Sequence, residues 1–276
     1  MSRIKARFAA LRTEGRGALI PFLEAYDPDA ATSMDILRGM PGAGADLIEI
    51  GMPFTDPMAD GPTIQAAGLR GLKAGATLAR TLAMVQDFRL DDADTPVILM
   101  GYLNPIASYG PERFCADAAT AGVDGIIVVD LPTEEAHLLA GHAAMHGLDI
   151  IRLVAPTTDE DRLPLVLQGS SGFVYYVSIT GITGTRSAST ASLAAAMPRL
   201  RAATDLPVAI GFGVRTPAQA AEAVRIADAA VVASALIETL AASLDTEGRA
   251  APDTARRVLD QVRALADGVR NARVPA

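Results

Sequence analysis

Residues 46–64 read DLIEIGMPFTDPMADGPTI, and the order of residue types there frames the whole chain. The apolar run Leu47 to Ile50 is continuous rather than alternating, which is how a strand buried on both faces of a parallel sheet reads. A loop punctuated by Pro53, Pro57, Gly61 and Pro62 follows it. Working outward, similar runs recur at Leu19 to Leu23, Val97 to Met100, Ile126 to Val129, Ile150 to Val154, Phe173 to Val177, Val208 to Ile210 and Ala230 to Ala233. Segments between them, such as Met34 to Gly42, Thr133 to His146 and Pro217 to Ile226, carry helical periodicity with Pro, Thr or Asp near their starts. Eight strand–helix units predict an α/β fold of the (β/α)8 barrel type, with an added helix from about Ile4 to Leu11. A doubly wound open sheet is the alternative.

The chain has 276 residues, half of them apolar and a fifth charged, enough to build a large core. No Ser/Gly/Pro-rich linker divides it, and Leu90 to Thr95 is only a short acidic connector, so one domain over residues 1–276 is expected. With 24 basic and 32 acidic residues the net charge is −8, which repels a phosphodiester backbone and argues against nucleic-acid binding. Cys115 is the only cysteine, which excludes an internal disulfide or thiolate metal cluster and fits the cytoplasm. Charges interrupt the first stretch, MSRIKARFAALRTEGRGALIPFL, as a secretory signal would not allow. Runs such as Gly125 to Val129 or Ala229 to Ile237 fall short of the roughly 18 residues a membrane helix needs.

In such barrels the chemistry sits on loops leaving the C-terminal ends of the strands. Glu49 stands inside an apolar run, where burial raises a carboxyl pKa and makes a usable general acid; a glutamate satisfied by a buried partner is the alternative. Asp56 and Asp60 follow in a loop long enough to fold over the barrel mouth. The stretch IGFGV (210–214) and the run VVASALIETL (231–240), whose helix begins near Ser234, mark the usual phosphate site of this architecture. Gly181 and Gly184 can bring backbone amides to the same anion. Lys5 and Lys73 fall on predicted helices, so Schiff-base chemistry has no plausible lysine. His137, His142 and His146 lie on one predicted outer helix with no HExxH glutamate, and no metal site is expected. Phe22, Met100, Tyr175 and Phe212 supply apolar and aromatic surface at the mouth. Carbon–carbon cleavage without lysine or metal then needs a substrate that holds the charge itself.

The strings IEIGMPFTDPMADGPTIQAA (48–67), LMGYLNP (99–105), AGVDGIIVVDLP (121–132), APTT (155–158), GFVYYVSITGITG (172–184) and GFG (211–213) together closely resemble the tryptophan synthase alpha subunit family over nearly the whole chain. The resemblance implies a TIM barrel that cleaves indole-3-glycerol phosphate to indole and glyceraldehyde 3-phosphate. It implies Glu49 as the acid at indole C3 and Asp60 as the acceptor for the indole N–H. Phe22, Met100, Ile127, Leu153, Tyr175 and Phe212 would wall the ring. Gly184, Gly213, Ala233 and Ser234 would cradle phosphate, and Asp56 and Thr183 would belong to partner-sensing lids. It further implies no cofactor in this chain, and an α2β2 heterotetramer in which indole passes to a beta subunit carrying pyridoxal phosphate. Two departures stand out: Ala233 replaces the first residue of the usual Gly-Ser pair, and Glu24-Ala25-Tyr26-Asp27-Pro28 replaces the common Thr-Ala-Gly-Asp-Pro. Other lyase or isomerase chemistry on a related phosphate-binding barrel, and a partner-activating subunit without turnover, are the rival readings.

Overall fold

The computed structural model describes residues 2–177, 190–211 and 213–272. Its strands are β1 (Ala18–Glu24), β2 (Ile48–Gly51), β3 (Val97–Gly101), β4 (Gly125–Val128), β5 (Asp149–Ile150), β6 (Arg152–Val154), β7 (Val174–Val177), β8 (Val208–Gly211) and β9 (Ala229–Val232). All pairings are parallel, in the order β5-β4-β3-β2-β1-β9-β8-β7-β6. The two ends of that order, β5 and β6, are separated only by Ile151, whose N–H donates to the Ile126 carbonyl at 3.0 Å. The sheet therefore curls round onto one continuous course of chain, which makes a barrel and rules out the open sheet. The predicted strand Ile150 to Val154 is thus present in two pieces, one paired to each neighbour.

Helices α1 (Arg3–Thr13), α2 (Ala30–Ala43), α3 (Pro62–Lys73), α4 (Leu78–Phe88), α5 (Leu103–Tyr109), α6 (Pro111–Ala121) and α7 (Ala140–Met145) precede β5. The second half adds α8 (Arg162–Leu167), α9 (Thr190–Ala203), α10 (Pro217–Ile226), α11 (Ser234–Ala241) and α12 (Thr254–Arg270). One expectation needs correction. The stretch Thr133 to His146 is not a single helix but a 3-10 segment, Thr133–Leu138, followed by α7. Leu139 separates them with a non-helical φ of −133°, and its side chain is buried in the outer core, so tertiary packing overrides local periodicity.

Strand alternation sorts the core into an inside and an outside. From β1, Leu19 and Leu23 pack outward with Ile36, Leu37 and Met40 of α2, while Ala18 and Ile20 point into the barrel. Helix α1 closes the N-terminal end: Ile4, Phe8 and Leu11 join Leu47, Ile98, Ile151 and Phe173 there, with Phe8 and Phe173 ring centroids 5.9 Å apart. Aspartates brace the same end. The Asp46, Asp124 and Asp228 carboxylates accept from Leu19 N at 2.9 Å, Val97 N at 2.8 Å and Val208 N at 2.8 Å, tying adjacent strands together. With this end plugged and braced, the opposite end is left for chemistry.

Candidate active site

At the C-terminal ends of the strands lies a cavity of about 380 Å3, within the range that suits a small-molecule ligand. Register sets its floor. Phe22 of β1 lies beside Glu49 of β2, and one step outward Glu24 lies beside Gly51, which is level with Met100 of β3. Glu49 is 1% exposed, and its Oε1 has no hydrogen-bond partner among the described residues. Burial in this apolar floor pushes its pKa up to about 8, so at neutral pH it holds a proton. Across the barrel the Tyr175 ring fills the space left by Gly211, where any Cβ would overlap it, and Tyr175 is close enough to Glu49 to interact electrostatically.

Asp60 reaches the cavity from the loop between β2 and α3. Gly61 caps α3 and Pro62 occupies its first turn, a start signal that pins the end of that loop. The Tyr102 hydroxyl donates to Asp60 Oδ2 at 3.0 Å and accepts from Ala59 N at 3.0 Å, and the Tyr102 ring lies 5.5 Å from that of Phe54. Burial raises the Asp60 pKa to about 6 despite the Tyr102 hydrogen bond, so it is mostly ionised at neutral pH. One carboxyl is thus held protonated and another ionised in the same cavity, a pairing suited to proton transfer onto a substrate that develops positive charge.

The opposite rim is formed by Gly213 and Val214 after β8 and by Ala233 and Ser234 where α11 begins. Gly213 has a φ of +85°, a conformation glycine adopts without strain. The first N–H groups of a helix have no partner within it and attract anions. Arg215 and Glu238 pair at this rim, with Arg215 Nη1 donating to Glu238 Oε1 at 3.1 Å.

The cavity therefore brings together Glu49, Asp60, Phe22, Met100, Tyr175, Gly213, Ala233 and Ser234. Ile127 and Leu153 do not line it; they pack in the inner core with Tyr175, and Val129 lines the wall instead. Asp56 is exposed on the loop that carries Asp60, away from the cavity lining. Thr183, Gly184 and Phe212 lie outside the described residues, as does Gly181. Sequence reasoning missed Glu24, Tyr102 and Arg215 as lining residues. Their common signal is position, for each follows an apolar run by a few residues.

This is a (β/α)8 barrel whose cavity, at the C-terminal ends of its strands, is lined by buried carboxyls, apolar side chains and a helix N-terminus, the architecture of an enzyme site. The family model for the tryptophan synthase alpha chain matches residues 8–270. Tryptophan synthase alpha chains from Gluconacetobacter diazotrophicus (74% identical, 99% of this chain, 100% of the relative) and Granulibacter bethesdensis (72%, 100% and 99%) are similar over their full length. Among solved structures, the alpha subunit from Legionella pneumophila superposes with a TM-score of 0.90 at 36% identity, covering 98% of this chain and 99% of that one. A chain of Mycobacterium tuberculosis tryptophan synthase gives 0.87 at 37%, covering 98% of each. The chain belongs to the tryptophan synthase alpha chain family. The alpha chain of that family is a lyase of indole-3-glycerol phosphate and carries no cofactor, pyridoxal phosphate belonging to the beta subunit.

Proposed function

We propose that Glu49 and Asp60 carry the retro-aldol cleavage of indole-3-glycerol phosphate in this chain. The Glu49 proton passes to indole C3, giving an indolenine cation whose N–H donates to the Asp60 carboxylate. The Glu49 carboxylate then takes the proton of the hydroxyl on the adjacent chain carbon. The bond from that carbon to indole C3 breaks, its electron pair restores the aromatic ring, and the carbon becomes the aldehyde of glyceraldehyde 3-phosphate. Glu49 ends protonated, so the cycle closes. The observation that carries the reading is the buried Glu49 carboxyl with an unpartnered oxygen on the cavity floor, where burial raises its pKa to about 8. The ring would lie against Phe22, Met100 and Tyr175, with Ile127 and Leu153 supporting from below and Phe212 completing the wall. The phosphate would meet backbone N–H groups around Gly184, Gly213, Ala233 and Ser234.

The whole chain would act as one domain in the cytoplasm, passing indole to a beta subunit within an α2β2 assembly. Asp56 and Thr183 would sense the partner as lids close. No helix among the described residues is long and apolar enough to cross a membrane. The deciding experiment measures indole release from indole-3-glycerol phosphate by the purified chain, alone and with a beta subunit. Release that rises with the partner is expected. No release in either assay, with partner binding intact, would leave only the partner-activating role.

The two carboxyls set a pH profile. Asp60 must be ionised, so kcat/KM falls as pH drops below about 6, and Glu49 must be protonated, so it falls as pH rises above about 8. The substrate phosphate titrates near pH 6 as well, which makes the alkaline limb the diagnostic one. Activity still climbing above pH 9 would remove Glu49 as the acid.

The phosphate rim yields another expected result. Any side chain at Gly213 is strained at its φ of +85°, at roughly 1–2 kcal/mol, and the backbone would shift to relieve it. Gly213→Ala should therefore weaken glycerol 3-phosphate about tenfold and leave indole binding nearly unchanged. Ala233, with a φ of −118°, has no such constraint, and Ala233→Gly should preserve or tighten the anion by removing a methyl from its path. Calorimetric titration of both ligands checks this; equal losses for indole and glycerol 3-phosphate would indicate general barrel damage.

A further inference from the structure

A third carboxyl lines the cavity and has no part in the cleavage described above. Glu24 ends β1, is 6% exposed, and belongs to the cavity wall together with Glu49 and Asp60. Its carboxyl lies over Gly51, where a Cβ would overlap Oε2, and Oε1 lies 3.7 Å from the place a Cβ on Gly68 would take. Gly51 therefore leaves room for it, while a side chain at position 68 would only touch it. Gly51 lies two residues beyond Glu49 on the same face of β2, so Glu24 lies nearer the mouth than Glu49.

The Glu24 carboxyl borders the cavity, and among the described residues no hydrogen bond to it is formed. The nearby cation, Arg70, is engaged by Asp27 through two hydrogen bonds of 2.6 and 2.8 Å. Burial first, and then the like charges of Asp60 and Asp27, hold the Glu24 pKa well above the usual carboxylate range. An uncompensated buried carboxyl is destabilising, and groups of that kind persist where function needs them. In sheet order β1 stands between β2, which bears Glu49, and β9, which leads to Ala233 and Ser234. Glu24 is thus placed between the ring end and the anion end of the cavity. A hydroxyl is the ligand group that satisfies a carboxyl best in either protonation state, because it both donates and accepts.

We propose that the Glu24 carboxyl hydrogen-bonds the hydroxyl-bearing three-carbon chain of the substrate and sets its position over Glu49. The proposal rests on the substrate reading above. Because Glu49 takes the hydroxyl on the carbon next to the ring, Glu24 holds the second one, which survives as the C2 hydroxyl of glyceraldehyde 3-phosphate. Glu24 is on this account a binding and specificity residue for the polyol chain, distinct from the groups that recognise ring and phosphate.

The test compares Glu24→Ala and Glu24→Gln with the parent, using indole-3-glycerol phosphate and 3-(indol-3-yl)propyl phosphate, which keeps ring and phosphate but lacks both hydroxyls. Glu24→Ala should lower kcat/KM for indole-3-glycerol phosphate roughly 10- to 100-fold, the worth of a hydrogen bond to a carboxyl. Its affinity for the hydroxyl-free ligand should stay within about twofold. Glu24→Gln, which keeps a donor and an acceptor, should recover much of the loss. The melting temperature of Glu24→Gln should stay close to that of the parent, since the amide keeps the size and polarity of the carboxyl. Equal losses for both ligands, or unchanged kcat/KM in Glu24→Ala, would each overturn the proposal. Failure of the parent itself to turn over indole-3-glycerol phosphate would instead overturn the substrate reading.

Discussion

Glu49→Gln is expected to fold like the parent and to lose about 10²- to 10⁴-fold in kcat, the usual worth of a positioned general acid. The amide matches the carboxyl in size, and at neutral pH it replaces a group that burial already keeps neutral, so packing around Phe22 and Tyr175 should survive. What it lacks is a transferable proton. Folding supplies its own control. The pKa of Glu49 is raised from 4.5 in the open chain to about 8 in the fold, so ionisation is harder in the folded state. Its contribution to stability is intact below about pH 4.5 and is lost as pH rises toward 8. Melting temperatures measured across that window should decline less in Glu49→Gln than in the parent. Turnover near the parental rate would take Glu49 out of the mechanism whatever the melting curves show.

Asp60→Asn should cost about 3–4 kcal/mol of transition-state stabilisation, a loss of some hundredfold to a thousandfold in kcat. The amide oxygen can still accept from Tyr102, so the loop between β2 and α3 should hold its shape. The negative charge is gone, and with it the partner for the cation that forms on the indole nitrogen only after C3 is protonated. Because that cation is absent from the ground state, the loss belongs in kcat rather than in KM. Single-turnover rates at saturating substrate separate the two. An unchanged chemical step with weaker binding would reduce Asp60 to a substrate contact. Asp60→Asn should also leave the alkaline limb of the pH profile near 8, since that limb belongs to Glu49.

Much of this was legible in one dimension. Continuous apolar runs separated by helical segments define strands buried on both faces, and only a closed or covered parallel sheet buries that many. Glu49 was legible because a carboxylate inside such a run conflicts with its surroundings, and such conflicts mark functional sites. Ser234 was legible from its helix start, a local signal, whereas loop punctuation alone left Asp60 as a solvated or capping carboxylate and only the family resemblance singled it out. The break at Leu139 was not, because that residue leaves the helix to bury its side chain against a core assembled from distant segments. Nor was the closing of the barrel at Ile151, which depends on two neighbours, β4 and β7, drawing one strand in opposite directions.

The sequence by itself determined the alternation of strands and helices, the end of the strands where chemistry belongs, and the residue types available there. Each of those follows from short-range periodicity and from what a buried side chain can tolerate. Only the tertiary structure decided which residues meet. Strand register placed Glu24 over Gly51 and level with Met100, the Tyr102 hydroxyl reached back to Asp60, and Ile127 and Leu153 sank beneath the cavity while Val129 rose to its wall. Those outcomes rest on the stagger of parallel strands around a barrel, a quantity shared among all of them and carried by no single stretch of chain.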